Sequence, residues 1–143
     1  MMDRNLDFGR ILASGSLRDE EIDATLELAF LMAKADGDAS FDELESFRAL
    51  VKHLQPSASM TELLDGLDER LDAAESIEER ARACAKKLGR PEAREAAYKA
   101  VYTIAVYDLE TNEEERDLDD LLVEILDLDA RVDDLEREVN EAL

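Results

Sequence analysis

Two acidic stretches of the chain repeat one pattern of oxygen-bearing side chains. The first reads DGDASFDE over residues 36–43, and the second reads DLETNEEE over residues 108–115. In both stretches two acidic residues are separated by one other residue, a Ser or Asn follows, and a Glu stands three positions later. An apolar helical run precedes each stretch, and each opens another helix. The sequence therefore predicts a duplicated unit of helix, acidic turn and helix, with oxygen ligands at the joint.

Carboxylates gathered in a short turn, with a Glu one helical turn further on, suit a hard divalent cation. Such cations prefer oxygen ligands, whereas Zn²⁺ usually takes His or Cys, and neither residue occurs in the two stretches. Acids at the end of a helix also lie near the negative pole of its macrodipole, which costs roughly 0.3 to 1 kcal/mol unless a cation or a donor compensates. The predicted cofactor is a divalent metal, Ca²⁺ or Mg²⁺ rather than Zn²⁺. The predicted ligands are Asp36, Asp38 and Glu43 in the first stretch and Asp108, Glu110 and Glu115 in the second.

Helix capping is the alternative explanation of the same residues. Ser40 with Glu43, and Asn112 with Glu115, each match a capping box, in which case the other acids are solvated surface. An EF-hand is excluded, because neither stretch has the Gly that its sixth position requires. On the residues alone, a metal site and a pair of helix caps stay open as equal alternatives.

Two long helices are predicted to position these turns, over residues 19–35 and 91–107. Both are apolar on most faces, which is typical of a helix in the middle of a bundle. Shorter amphipathic helices are predicted to start at Ser40, Ser59 and Ser76, each of which has a Glu three residues later. We expect the two central helices to contact each other through Leu26, Phe30, Ala33, Ala97, Val101 and Ile104.

The fold class that follows is all-α, a single compact bundle of about seven helices with an internal pseudo-twofold repeat. Residues 1–15 are predicted to form an N-terminal extension or short helix, and residues 16–143 the helical domain. The last helix carries an apolar seam at Leu128, Val132, Leu135 and Val139 that could pair with a partner helix, although packing onto its own bundle is favoured.

Net charge restricts the partners that the chain can have. With 17 Lys and Arg against 38 Asp and Glu, the formal charge is −21, which repels nucleic acid and anionic membrane surfaces. The expected partners are divalent cations and a protein with a basic surface. Every apolar run is interrupted by charges well short of the roughly 20 residues that span a bilayer. One cysteine and no secretory leader predict a cytoplasmic protein.

The residue types that support catalysis are sparse, and we predict that the chain is not an enzyme. His53 is the single histidine, and no nucleophile and base can be paired around it. Cys84 lies on an apolar helix face, which favours a buried core thiol over a reactive one. The three tyrosines, Tyr98, Tyr102 and Tyr107, fall on or near one helix; core aromatics with hydroxyls at the surface are favoured over a ligand pocket.

The segments MAKADGDASFDELE and IAVYDLETNEEERD resemble the TerB-like family, an all-helical domain associated with tellurite resistance. The likeness covers roughly residues 15 to 128. It implies a cytoplasmic seven-helix bundle with pseudo-twofold symmetry that binds divalent metal through the acids at its two helix joints. The first stretch keeps the Asp-Gly pair of the family, whereas Leu109 replaces Gly in the second and disfavours the same backbone conformation there.

Two functions are expected from these observations. The first is a non-enzymatic acidic protein of the tellurite-resistance, stress-response or envelope-associated type, which binds divalent cations such as calcium at the two acidic joints. The second is a protein-interaction adaptor whose acidic face docks a basic partner and whose metal sites are structural or vestigial. The process is implied by the family resemblance, not by the residues.

Overall fold

The computed structural model describes residues 8–12, 17–35, 41–107 and 113–142, and these ranges contain helices and turns without a β-strand. The prediction of an all-α fold is confirmed. The pseudo-twofold repeat and the domain boundary at residue 16 stay predictions. In chain order the helices are α1 (Phe8–Leu12), α2 (Asp19–Ala33), α3 (Phe41–Leu54), α4 (Met60–Ala73), α5 (Ile77–Lys87), α6 (Pro91–Tyr107), α7 (Glu113–Ile125) and α8 (Val132–Ala142).

Serine caps begin two of the short helices where the sequence predicts them. The Ser59 side chain accepts a hydrogen bond from the backbone N–H of Glu62 at 3.4 Å, and Ser76 accepts one from Glu79 at 3.1 Å. Each bond satisfies one of the N–H groups that a helix start leaves without a partner, which is worth about 1 kcal/mol. The predicted cap at Ser40 lies outside the described residues.

The two long helices, α2 and α6, form the centre of the bundle. Every residue of α2 from 24 to 33 is buried, and so is every residue of α6 from 96 to 101. These two helices pack against each other, and α3 packs against both. All six residues that we predicted for the contact of α2 with α6 are buried, as a central position requires.

The remaining helices surround this pair. Helix α5 packs on α2, α7 packs on α5 and α6, and α4 has one buried residue, Leu67. The short α1 packs on α6, α3 and α8 through Phe8, Ile11 and Leu12. Except for α4, which packs on α5, each of these helices packs on α2 or α6, and this packing supplies stability that a short helix lacks on its own.

Helix α8 returns onto its own bundle, as the sequence analysis favoured. Leu135 and Val139 are buried against α6 and α1, and the buried amine of Lys99 on α6 pairs with Glu138 at 2.5 Å. The chain reverses before α8 at Asp127, which adopts φ 58°, and the next residue donates to the carbonyl of Val123 at 2.9 Å. Such a left-handed residue commonly ends a helix, and Asp tolerates it better than most residues other than Gly and Asn.

Candidate functional site

Two glutamates that the sequence predicts as metal ligands occupy buried positions at the start of two helices. Glu43 lies in the first turn of α3 and Glu115 in the first turn of α7. Their exposed fractions are 2% and 1%, which is unusual for a carboxylate. Helices α3 and α7 follow the two acidic stretches, and both pack on α2 and α6. Each glutamate therefore faces the interior of the bundle.

The other four predicted ligands, Asp36, Asp38, Asp108 and Glu110, lie outside the described residues, as does Leu109. Within the described ranges, no group of three or more His, Cys, Asp or Glu side chains is arranged to hold a metal ion. The metal site stays a prediction at both turns.

A second buried glutamate system links three helices and was not predicted from the sequence. Glu27, in the middle of α2, is 1% exposed and accepts hydrogen bonds from Arg80 on α5 at 2.5 and 2.8 Å. Arg70 on α4 donates to the same carboxylate at 3.0 Å. Burial raises the pKa of Glu27, but the hydrogen bonds from Arg80 and Arg70 outweigh it, so the pKa lies below its usual value. This carboxylate therefore stays ionised and holds α4 and α5 on α2.

Glu21, in the first turn of α2, forms a further buried ion pair with Arg90, which directly precedes α6. Arg90 donates to its two oxygens at 2.6 and 2.9 Å, and the backbone N–H of Arg18 donates at 2.8 Å. Chiefly through the bond with Arg90, the pKa of Glu21 falls from 4.5 to about 2. Because the folded pKa is depressed, the stabilising contribution is present above about pH 4.5 and is lost as the pH falls through about 2.

Tyr98 on α6 joins two carboxyl groups from different helices. Its hydroxyl donates to Asp119 of α7 at 2.8 Å, and an oxygen of Glu136 on α8 lies 2.7 Å from the same hydroxyl. A phenol carries one hydrogen, so it satisfies one carboxylate at a time, and the second contact needs a proton on a carboxyl group. Burial, together with the charges of Glu136 and Asp120, raises the pKa of Asp119 to about 6 even though the bond from Tyr98 lowers it.

The position of Tyr98 corrects one expectation. Its side chain is fully buried, so the prediction of a hydroxyl at the surface is wrong for this tyrosine. The hydroxyl is turned towards α7 and α8, where the carboxyl groups of Asp119 and Glu136 lie within hydrogen-bond distance. Tyr102 stacks on Tyr98 with ring centroids 6.0 Å apart, and its hydroxyl accepts from Asn140 near the surface. The side chain of Tyr107 lies outside the described part of the structure.

Asp119→Asn is expected to change how stability depends on pH. The folded pKa of about 6 lies above the ordinary value of 3.8, so this group contributes stability below about pH 4 that is lost as the pH rises through 6. An amide still accepts the tyrosine hydrogen and does not ionise. Between pH 4 and pH 7.5, the variant should therefore gain about 1 to 3 kcal/mol relative to the native chain in urea unfolding.

Asp117→Asn is the control for this experiment, because Asp117 is an exposed acid on the same helix. It removes the same charge without touching Tyr98. Equal pH dependence in the two variants would show that net charge, and not the contact with Tyr98, governs the effect.

The single cysteine and the single histidine lie in different surroundings. Cys84 is fully buried, and burial is the main cause that raises the pKa of its thiol to about 12, so a thiolate does not form at neutral pH. The prediction of a buried core thiol is confirmed. His53 is exposed in the last turn of α3.

Among the described helices, none combines the length and the apolar character that crossing a membrane requires. The family model described as tellurite resistance protein TerB matches residues 22–135, which is most of the chain. No curated protein and no solved structure matches significantly. The matched range begins in α2 and ends in α8, so it contains both acidic stretches, most of α2 and all of α6. This chain belongs to the TerB family.

Proposed function

We propose that this chain is a non-enzymatic protein that binds divalent cations at its two acidic helix joints. The observation that supports the proposal best is the pair of buried glutamates, Glu43 and Glu115, each in the first turn of the helix that follows an acidic stretch. Each glutamate follows two further predicted ligands within the preceding seven residues, and carboxylate oxygens are the ligands that Ca²⁺ and Mg²⁺ prefer. Helix capping needs only Ser40 with Glu43 and Asn112 with Glu115. It does not explain the other acids of the two stretches.

The chemistry of the donor set fits calcium or magnesium better than zinc. Asp36, Asp38 and Glu43 would hold the first cation through carboxylate oxygens, and Asp108, Glu110 and Glu115 would hold the second. Carboxylates that share a joint repel one another by roughly 1 to 4 kcal/mol for each close pair, and a dication offsets this repulsion. Gly37 permits backbone conformations that Leu109 disfavours, so the first site should be the tighter one.

Membership of the TerB family supports a role of the tellurite-resistance type. Within that role we propose a cytoplasmic protein that acts in a stress response or in envelope-associated assemblies. The neighbouring genes would test this context directly, since tellurite-resistance or defence genes beside this one would support it and unrelated metabolic genes would not.

Millimolar Ca²⁺ is expected to raise the melting temperature more than NaCl of the same ionic strength does. The dissociation constant expected for such an open site is roughly 10⁻⁵ to 10⁻³ M.

Asp36→Asn should remove most of the first site's share of the increase in melting temperature. It should also stabilise the metal-free protein slightly, because it removes a repelling charge. Asp108→Asn should have a smaller effect. Calorimetric titration of both variants and the double variant with Ca²⁺, Mg²⁺ and Zn²⁺ measures each contribution.

Asp72→Asn, at an exposed position of α4, is the matched control because it removes one charge far along the chain from both stretches. It should leave the calcium isotherm unchanged. An isotherm that is also unchanged in the double variant would contradict cation binding and assign these acids to helix capping and solvated surface.

A protein-interaction adaptor is the second candidate function, in which the acidic face docks a basic partner and the metal sites are structural or vestigial. The net charge of −21 supports it, as does an acid-rimmed groove between α5 and α7. Capture of a basic partner that persists in a metal chelator would favour this candidate, whereas capture that needs Ca²⁺ would favour the first.

A further inference from the structure

A groove of about 240 Å³ lies between the beginnings of α5 and α7 and has an apolar floor. Leu118 and Leu121 of α7 form one side of the floor, and Ile77 of α5 forms the other. Ala35, which lies two residues beyond the end of α2, also lines the groove. Leu118 is 5% exposed and packs into the core, whereas the other three are half-buried and remain in contact with solvent. The floor is therefore continuous with the core but open at the surface.

The rim of this groove is acidic. Glu78 of α5 and Glu114 and Asp117 of α7 line it, and all three side chains are exposed. Glu78 forms an ion pair with Arg82 at 3.0 Å on its own helix. Glu114 and Asp117 belong to none of the ion pairs that the described residues form with one another. The rim therefore presents negative charge directly beside apolar surface.

The size and polarity of the groove indicate what it accepts. Pockets for drug-sized ligands and cofactors are commonly about 300 to 1,000 Å³, so this groove is better suited to individual side chains than to a cofactor. Arg and Lys place their methylene stems on apolar surface while their charged ends reach polar groups. A segment with aliphatic side chains on one face and basic side chains at its edges contacts the apolar floor and pairs with the acidic rim.

We propose that the groove between α5 and α7 docks a basic amphipathic segment of a protein partner. Aliphatic side chains of the segment cover Ile77 and Leu121, and its Arg or Lys residues pair with Glu114 and Asp117. Nucleic acid and anionic membranes do not fit, because the whole chain repels them. The inference rests on the adaptor function and supplies its surface and partner class, but it does not depend on cation binding at the turns.

The test uses two fluorescein-labelled peptides that share a helical pattern of leucines. One carries Arg at the polar positions and the other carries Gln. Fluorescence anisotropy in 150 mM NaCl with EDTA measures their affinity for the full chain. The Arg peptide should bind at least tenfold more tightly than the Gln peptide, and it should shift the amide NMR signals of residues 77–78 and 114–121.

Matched variants distinguish peptide binding at the groove from attraction by the net charge of the chain. Glu114→Gln with Asp117→Asn removes two rim charges, and Asp65→Asn with Glu69→Gln removes two exposed charges on α4. The rim variant should weaken binding of the Arg peptide about tenfold, and the α4 variant less than about twofold. Leu121→Ala should weaken it several-fold while the helical circular dichroism is retained.

Equal weakening by the two charge variants would overturn the assignment of the groove but leave an adaptor that attracts basic peptides by net charge. No binding of the Arg peptide would overturn both the groove and the adaptor function. Spermidine that displaces the Arg peptide at equal concentration would also overturn the proposal, since a small polycation would then be the ligand. None of these outcomes bears on calcium binding, which is measured without peptide.

Discussion

Phe30→Ala is expected to lower the free energy of unfolding by about 3 to 5 kcal/mol, as large-to-small substitutions of buried aromatic residues do. Phe30 lies in the central helix α2 and is 3% exposed. Its ring packs edge-to-face on Phe47 of α3, with centroids 6.1 Å apart, and the amine of Lys34 lies 5.9 Å from its centroid. Truncation therefore removes buried area, an aromatic pair and the surface on which Lys34 rests.

Urea unfolding followed by circular dichroism measures this loss as a lower midpoint. Phe41→Ala is the control, because Phe41 is 77% exposed at the start of α3 and should change stability by less than about 0.5 kcal/mol. If Phe30→Ala had no more effect than Phe41→Ala, the packing of α2 against α3 and α6 would be contradicted.

Glu27→Gln is expected to cost about 3 kcal/mol, the lower end of the range for breaking a buried ion pair. The substitution leaves Arg80 and Arg70 without the carboxylate that they share, and the neutral amide cannot compensate two guanidinium groups. Both arginines keep some access to water, which limits the cost. Because α4 has little buried surface of its own, we expect its amides to lose hydrogen-exchange protection first.

Glu78→Gln is the matched control for Glu27→Gln. It also removes a carboxylate that pairs with an arginine, Arg82, but this pair is exposed and lies within one helix. Such a pair contributes about 0.3 to 0.5 kcal/mol. Similar losses in the two variants would show that the burial of Glu27 does not determine its contribution.

Much of the fold could be predicted from the sequence, because its determinants are local. Ser59 and Ser76 mark helix starts through bonds that span three residues, and the structure confirms both caps. The two helices that are apolar on most faces are also the two at the centre, since a helix without a polar face can be accommodated only in the interior. The family assignment rests on the same kind of pattern, extended over residues 22–135.

The candidate site was predictable from the sequence only in part. Glu43 and Glu115 were predicted from spacing, and the structure adds their burial; the acids before them lie outside the described residues. Glu27 was visible in the sequence as one acid within the apolar run LELAFLMA, and an isolated charge at such a position signals a buried pair. The local sequence pattern does not show which residues pair with Glu27.

The sequence by itself determined the helices, the central pair and the acidic stretches, because each depends on residues within a turn or two of one another. Only the tertiary structure decided how the shorter helices pack on that pair and on one another. It brought Arg80 to Glu27, Asp119 and Glu136 to Tyr98, and α5 to α7 to form the groove. Charge pairs and cavities of this kind depend on how helices far apart in the chain are oriented, and the periodicity of a single helix contains no information about the orientation of its neighbour.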